Sequence, residues 1–345
     1  MTHRFLVSVG VVTALIAIML LATIPVSGQG PSAGTNTNGR AAKSYTPPRT
    51  PDGQPDLQGY WTNAGYAPLE RPDTVTKEFY TKEEAVEFEK QFVDTEAEQT
   101  EPGTIPDVHY DHTQFGLDRS LAGYSSNLRT SLIVDPPNGK LPPLSAEGRK
   151  RAVERAEAAK RMGGPYDAAQ NLPLGARCIV MDRMGPPMLY GNYNNTYQIV
   201  QAPGLVMILA EMLHDVRVIP LDGRPQLAQN VRQWTGSGRG RWEGETLVVE
   251  TTHFNGKNPL RGSSENMRLV ERFTRVGENT IRYQFTVDDP ATWTRPWSAE
   301  MPMKATIGPI FEHACHEGNY SLANILAGAR AEEKKAQEAA KKESK

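Results

Sequence analysis

The sequence predicts a mainly β protein: an antiparallel, barrel-like (lipocalin-like) sheet with an N-terminal wrap of helical and irregular segments. From about residue 193 onward, short runs of β-branched and aromatic residues are separated by Gly, Asn, Asp and Pro, with no long helix between them. The 345 residues also include 30 Gly and 26 Pro, which fits a loop-rich β protein better than a helical bundle. Regular hairpins of this kind favour a closed or strongly curled sheet over a parallel α/β fold.

The first 57 residues are expected to lie outside this fold. A short basic start precedes an uncharged apolar run from Phe5 to Val26, so we expect a secretory signal peptide that is cleaved near Gly28. The alternative is an uncleaved membrane anchor, because about 20 apolar residues can span a bilayer. Cleavage predicts a periplasmic or secreted protein, and with either interpretation the rest of the chain is expected to lie outside the cytoplasm. Residues 29–57 have hardly any apolar side chains and are expected to form a disordered linker.

Residues 58–165 are expected to form the N-terminal wrap. Thr81-Lys82-Glu83-Glu84 is a capping box, and the apolar residues at helical spacing behind it predict a helix from 82 to about 98. A second, largely charged helix is predicted from Ser145 to Met162, where two glycines end it. Residues 101–144 contain many Pro, Gly and Asp and are expected to be irregular.

The barrel-like domain is expected over residues 166–328, followed by a charged tail over 329–345. Its clearest element is the turn Val276-Gly277-Glu278-Asn279, which joins two runs of alternating character. One face of this hairpin is apolar and the other is polar, as expected for a sheet with one dry side. The predicted strand runs are Tyr197–Val200, Leu205–Met212, Val216–Pro220, Thr246–Thr252, Arg268–Arg275 and Thr280–Val287.

Charge and motifs exclude several classes of function. Lys and Arg total 38 against 40 Asp and Glu, so no basic excess indicates a nucleic-acid partner. No nucleophile elbow or Walker A motif is present. The run Gly236-Ser237-Gly238-Arg239-Gly240 is a glycine loop, but the helix that a phosphate-binding loop needs does not follow it. No cofactor is predicted, and membrane contact is expected only through an uncleaved signal segment.

The chain has two cysteines, Cys178 and Cys315. In an oxidising compartment such a pair most simply forms one disulfide, the alternative being two buried free thiols. Cys315 lies in the run Phe311–Tyr320, FEHACHEGNY, which also carries His313 and His316. The approach to this run predicts a strand, on which the two histidines point to opposite sides. No metal site is therefore predicted, and the disulfide is expected to fix the side to which His316 points.

Four residues form the candidate catalytic set: His214, Asp215, Glu271 and His316. Alternation points Glu271 toward the dry side, where a buried carboxylate is either paired structurally, for example with Arg217, or serves as an acid or base in an open cavity. His214 beside Asp215 is a candidate base with an orienting carboxylate, or simply a turn histidine. A straight strand and a tight turn at the barrel rim are both compatible with this stretch.

Five residues form the candidate ligand contacts. Trp293 and Trp297 lie four apart and are predicted either to wall a ligand site or to plug the barrel. Tyr193 belongs to a loop rich in Tyr and Asn, and Arg217 or Arg272 would hold an anion in the catalytic hypothesis. Together these residues predict a small apolar or aromatic ligand.

Four segments resemble those of a known family: Pro51–Trp61 (PDGQPDLQGYW), Ile219–Pro225 (IPLDGRP), Gly240–Val249 (GRWEGETLVV) and Cys315–Tyr320 (CHEGNY). Together they are similar to a family of exported, functionally uncharacterised bacterial proteins of the soil-bacterial type. The resemblance implies a bacterial, extracytoplasmic setting and no particular catalytic residues. The leading hypothesis is therefore a binding protein for a small, largely apolar molecule in an aromatic-lined cavity. The alternatives are a secreted hydrolase, lyase or isomerase that uses His and Glu, and a structural protein of the cell envelope.

Overall fold

The protein is built on a ten-stranded antiparallel sheet that curls into a nearly closed barrel, which confirms the predicted fold class. The computed structural model describes residues 45–65, 67–96, 128–181, 183–190 and 193–343. The predicted signal segment and the first part of the predicted linker lie outside these residues. The described residues also form three α-helices, α1 (Lys82–Glu96), α2 (Ala146–Arg161) and α3 (Tyr320–Glu343).

The strands follow the order β5-β4-β3-β1-β10-β9-β8-β7-β6, and β2 pairs with β10 beside this path. Their bounds are β1 Gly59–Thr62, β2 Ile133–Asp135, β3 Thr196–Ala202, β4 Leu205–Ala210, β5 Val216–Pro220, β6 Ser237–Glu243, β7 Thr246–Thr252, β8 Arg268–Gly277, β9 Thr280–Asp288 and β10 Trp297–Ala305.

The β8–β9 hairpin follows the predicted alternation. Two residues of β8, Leu269 and Phe273, and two of β9, Tyr283 and Val287, are fully buried. Arg282, which directly precedes Tyr283 on β9, is exposed on the other face. The register pairs Phe273 with Tyr283, and their ring centroids lie 4.9 Å apart. Apolar side chains of this face fill the barrel interior, which is therefore a packed core.

The barrel closes where the edge strands β5 and β6 approach each other, at a contact we call the seam. Gly240 on β6 makes this approach possible, because a Cβ at that position would lie 2.5 Å from Leu221 Cδ2 and 2.9 Å from Ile219 Cγ2. The interpretation of Gly236–Gly240 as a glycine loop was wrong, because its residues from Ser237 onward are the first residues of β6. Glycine serves there as the small residue that lets two strands meet.

The predicted N-terminal wrap contributes two strands to the barrel, which the sequence did not indicate. β1 lies between β3 and β10, where Trp61 pairs with both Tyr197 and Ala305. β2 pairs with the start of β10. Residues 45–56 of the predicted linker also belong to the described structure, where Arg49 bridges to Pro55 and Thr50 is buried, and Leu57 is fully buried in the core.

Both predicted helices are present. Thr81 and Glu84 form the capping box of α1: the Thr81 N–H donates to Glu84 Oε2 at 2.8 Å, and the Glu84 N–H donates to Thr81 Oγ1 at 3.2 Å. Ser145 caps α2 by accepting from the Gly148 N–H at 2.9 Å. Gly148 lies against the carbonyl of Thr292, where a Cβ would approach within 2.4 Å, so α2 docks on the barrel through a narrow stripe.

The C-terminal region differs from the prediction. β10 ends at Ala305, and residues 306–319 form no strand, so the interpretation of Pro309–Phe311 as a strand was wrong. Phe311 is exposed and Ile310 is partly exposed, because no strand of the described residues covers this run. The charged tail belongs to α3, which begins at Tyr320, before the expected boundary at 329.

Candidate functional site

Glu271 lies inside the barrel and is sealed by an arginine. Its carboxylate has no exposed surface, and the Arg217 side chain, from β5 across the seam, is 11% exposed. Arg217 Nη1 donates to Glu271 Oε1 at 3.0 Å, and Nη2 donates to Oε2. The Tyr283 hydroxyl donates to the same Oε1 at 2.8 Å and accepts from the Met188 N–H at 3.0 Å. The structural pairing that the sequence predicted for Glu271 is thus present.

The charges of this network stabilise each other. Burial lowers the pKa of the Arg217 guanidinium, but the charge of Glu271 and its hydrogen bonds outweigh burial and raise the pKa above its usual value. Burial, followed by the charge of Glu271, raises the pKa of Tyr283 well above its usual range. Arg217 is therefore charged and Tyr283 is neutral at ordinary pH, and both donate hydrogen bonds to the Glu271 carboxylate.

The two candidate catalytic histidines lie on the surface, and Asp215 is partly buried. His214 is exposed in the 3-10 turn Met212–His214, which selects the tight turn over the straight strand. Burial raises the pKa of Asp215 beside it, although Arg217 and His214 act in the opposite direction. His316 is exposed in the turn before α3, and among the described residues no hydrogen bond joins either histidine side chain to Glu271. The structure therefore does not assemble the candidate catalytic set into one site.

The candidate ligand contacts are also dispersed. Trp293 and Trp297 are buried in the core, with ring centroids 5.7 Å apart in an edge-to-face arrangement. Arg272 lies on the outer face of the sheet, where it pairs with Glu243 at 2.9 Å. Tyr193 is partly exposed and lines neither of the two cavities described below. The two tryptophans are thus barrel plugs, as the alternative interpretation predicted.

The predicted disulfide between Cys178 and Cys315 is present, with the two Cα atoms 5.8 Å apart. It joins the exposed turn before α3 to the segment that leads into Met181–Tyr190. Asn319 supports the same junction, because its Nδ2 donates to the Ala176 carbonyl at 2.8 Å. His316 faces solvent on this junction, so the disulfide does not direct it into a cavity.

A cavity of about 580 Å³ lies at one end of the barrel, and we call it the end cavity. Its walls come from the segments that follow β1 and β7 and from those that precede β2, β3, β6 and β8. Neighbouring strands run antiparallel, so the ends of β1 and β7 lie beside the starts of the strands they pair with, and these segments meet at one end of the barrel. Most buried residues of the wall are apolar, namely Ala67, Leu69, Leu132, Pro186, Pro187, Phe254 and Met267, and the buried serines Ser263 and Ser264 lie beside them. Two partly buried aromatic residues, Tyr190 and Trp234, complete it.

Two exposed arginines, Arg183 and Arg261, also line the end cavity. The sequence analysis did not single out either residue, because both lie in irregular segments without a recognisable motif. The only local signal was Asn258-Pro259-Leu260-Arg261-Gly262, a turn-forming run between two strands. Loop residues that line one cavity can be identified only when the relative positions of the strands that the loops connect are known.

A second, smaller cavity of about 300 Å³ lies at the seam. Arg217 forms part of its wall, together with Ser237 and Thr251. The Thr251 hydroxyl is buried and has no hydrogen-bond partner among the described residues. Thr235 lines both cavities, so the seam adjoins the end of the barrel that holds the larger one.

Within the described ranges, no group of three or more His, Cys, Asp or Glu side chains is placed to hold a metal ion. In the same part of the chain, no helix is both long and apolar enough to cross a membrane. Comparison with protein-family models, with curated proteins and with solved structures found no match to this chain.

Proposed function

We propose that this is an exported protein that binds a small, largely apolar molecule in the end cavity. The observation that carries the proposal is a cavity of about 580 Å³ at one end of the barrel, whose wall combines buried apolar residues with polar groups. Ligand sites in proteins have volumes of roughly 300–1,000 Å³ and combine apolar walls with a few polar groups. The barrel interior is packed and the seam cavity has only about 300 Å³, so the end cavity is the favoured site for such a molecule.

The export part of the proposal is supported by the disulfide and by the sequence resemblance described above. Disulfides persist mainly in oxidising compartments such as the periplasm or the extracellular space. The apolar run from Phe5 to Val26, which precedes the described residues, would direct the chain there.

Catalysis by general acids and bases is the less favoured function. A general base needs access to the substrate and a proton-accepting form near the working pH. Glu271 is sealed by Arg217 and Tyr283, and His214 and His316 are exposed on separate turns. No pair of titratable groups in the described residues of the end cavity has the arrangement that acid–base chemistry requires.

The proposal is tested by calorimetric titration of the mature protein with decanol, decanoate and bicyclic aromatic compounds. We expect binding to the native protein and a loss of at least about tenfold in affinity for Asn258→Trp, because Asn258 lines the end cavity and an indole there would occupy it. Asn279→Trp is the matched control, since Asn279 is exposed in the hairpin at the other end of β8. Absence of binding by every compound, or equal binding by Asn258→Trp, would refute the proposal.

A further inference from the structure

We infer that the ligand of the end cavity is an amphipathic anion, whose carboxylate or phosphate group binds at Arg183 and Arg261 while its apolar body lies on the buried wall. This inference rests on the proposed function and adds the chemical class of the ligand. It is drawn from the distribution of charge around the cavity, the absence of partners for these two arginines among the described residues and the way in which the Arg261 loop is held.

The described lining of the end cavity contains two arginines and no carboxylate. Both arginines are exposed, whereas the apolar residues of the wall are buried or partly buried. The cavity therefore has a cationic opening above an apolar floor. An anion with an apolar body matches both parts at once, whereas a cation would meet only like charge at the opening.

Arg183 and Arg261 form no ion pair and no side-chain hydrogen bond with any residue in the described part of the chain. Most other described arginines are occupied: Arg268, for example, pairs with Glu250 at 2.6 Å, and Arg295 pairs with Asp135 at 2.6 Å. A guanidinium carries five N–H donors in a planar fork that fits carboxylate and phosphate oxygens. Two free forks at one opening thus provide the donors that an anionic group needs.

The backbone that carries Arg261 is held in an unfavourable conformation. Arg261 has φ 48° and ψ 32°, the left-handed region that residues other than glycine rarely adopt. Arg155 of α2 fixes the following residues: its Nη1 donates to the Gly262 carbonyl at 2.8 Å and its Nη2 to the Ser263 carbonyl at 3.0 Å. Such strain persists only where surrounding contacts determine it, and it is concentrated at ligand sites.

A second contact fixes the same loop from the barrel side. Asp289 accepts from the Ser264 N–H at 2.6 Å and from the Ser264 hydroxyl at 2.8 Å, and both residues are buried. Arg261 therefore lies on a loop that is held by contacts at two points. Ligand binding would cost little further backbone entropy there, because the loop is already ordered. Ser263 and Asn258 line the same cavity and add hydrogen-bonding groups beside it.

The test compares probes with the same apolar chain and different head groups: decanoate, decyl phosphate, decanol and decylamine. Dissociation constants are measured by calorimetry on the full mature chain at low and at moderate salt. We expect decanoate or decyl phosphate to bind at least about tenfold more tightly than decanol, with decylamine weakest, because a hydrogen bond to a charged group adds more than a neutral one. The anionic advantage should fall as salt is added.

Two variants locate the anion. Arg261→Asn removes the charge and retains a residue that tolerates left-handed backbone, and Arg183→Gln removes the other charge. Each is expected to weaken binding of the anionic probe by about tenfold and to leave decanol binding within about twofold of native. Arg282→Gln is the matched control, because Arg282 is also exposed and has no described partner but lies on the outer face of β9.

The outcomes are distinguishable. If decanol binds as tightly as both anions, or if both arginine variants keep native affinity for the anion, the inference is wrong while the proposed function stands. If no probe binds, the proposed function itself fails for this class of ligand. Preference for the phosphate over the carboxylate, or the reverse, supports the inference and identifies the head group.

Discussion

The buried ion pair between Arg217 and Glu271 makes a sharp prediction about stability. We expect Arg217→Met and Glu271→Gln each to destabilise the barrel strongly, and the double variant to lose much less than the sum of the two. Either single change leaves one charge inside the barrel without its partner, whereas the double change removes both charges together.

The magnitude follows from the geometry of the pair. At the 3.0 Å distance between Arg217 Nη1 and Glu271 Oε1, Coulomb's law with an effective dielectric constant of about 20 gives about 5–6 kcal/mol. Desolvation of both groups offsets part of this attraction, because Glu271 is fully buried. We therefore expect each single variant to lose about 3–5 kcal/mol and the coupling energy to be about 3 kcal/mol.

Urea unfolding of the four proteins, followed by tryptophan fluorescence and circular dichroism, measures these values. A loss of about 3–5 kcal/mol corresponds to a decrease of about 1 M or more in the midpoint. Additive losses in the double variant would refute the reasoning, because they would show that the two charges do not interact in the folded state. Arg272→Met is a suitable control, since its pair with Glu243 is partly exposed and should contribute less than about 1 kcal/mol.

Three further predictions concern the seam, the disulfide and the turn at the barrel rim. Gly240→Ala should lower the free energy of unfolding by about 1–3 kcal/mol in urea titrations, because the added methyl group overpacks the seam. Replacing Cys178 and Cys315 by Ser should release the exposed segment before α3, seen as new proteolytic cleavage there, and should lower the urea midpoint, because the crosslink closes a loop that contains strands β3 to β10; cleavage and midpoint unchanged from native would contradict this. Burial raises the pKa of Asp215, so the folded state holds that proton more tightly than the unfolded chain and the ionised carboxylate is destabilising above that pKa. Asp215→Asn should therefore be more stable than native at about pH 7 and equally stable at about pH 3; a larger difference at the lower pH would reverse the sign and exclude the explanation.

Local periodicity was sufficient to predict the parts of the barrel whose neighbours are adjacent in sequence. The alternation on β8 and β9 identified the dry face, and on that face it placed Glu271 correctly. The same reasoning suggested Arg217 as its partner, because a buried carboxylate needs a cation or several donors. These inferences need only the two-residue period of a strand and the cost of burying a charge.

Elements whose partners are distant in sequence were missed. β1 has four residues and β2 has three, too few for alternation to be recognised. β6 was interpreted as a loop because its glycines are suited to the seam and carry no strand signal. The strand predicted near Phe311 failed for the opposite reason: its local composition is strand-like, but no neighbour is present to pair with it.

The candidate site was predicted less well than the fold. Tryptophans spaced four residues apart gave a visible pattern, yet Trp293 and Trp297 fill the core. The arginines of the end cavity, Arg183 and Arg261, come from loops that are far apart in sequence and meet only after the barrel has closed. Convergence of loops is a property of the tertiary fold, so single-sequence patterns did not reveal it.

The position of β1 between β3 and β10 has a kinetic consequence. β1 is among the first segments of the barrel to be synthesised, but its second edge is paired only by residues of β10, near Ala305. Contacts between such distant parts of a chain form slowly, because loop closure must precede them. Until β10 docks, the partly formed sheet has unpaired edges at β1 and β9 that can associate with other chains. Refolding is therefore expected to be slow and sensitive to protein concentration, which light scattering during dilution from denaturant would detect.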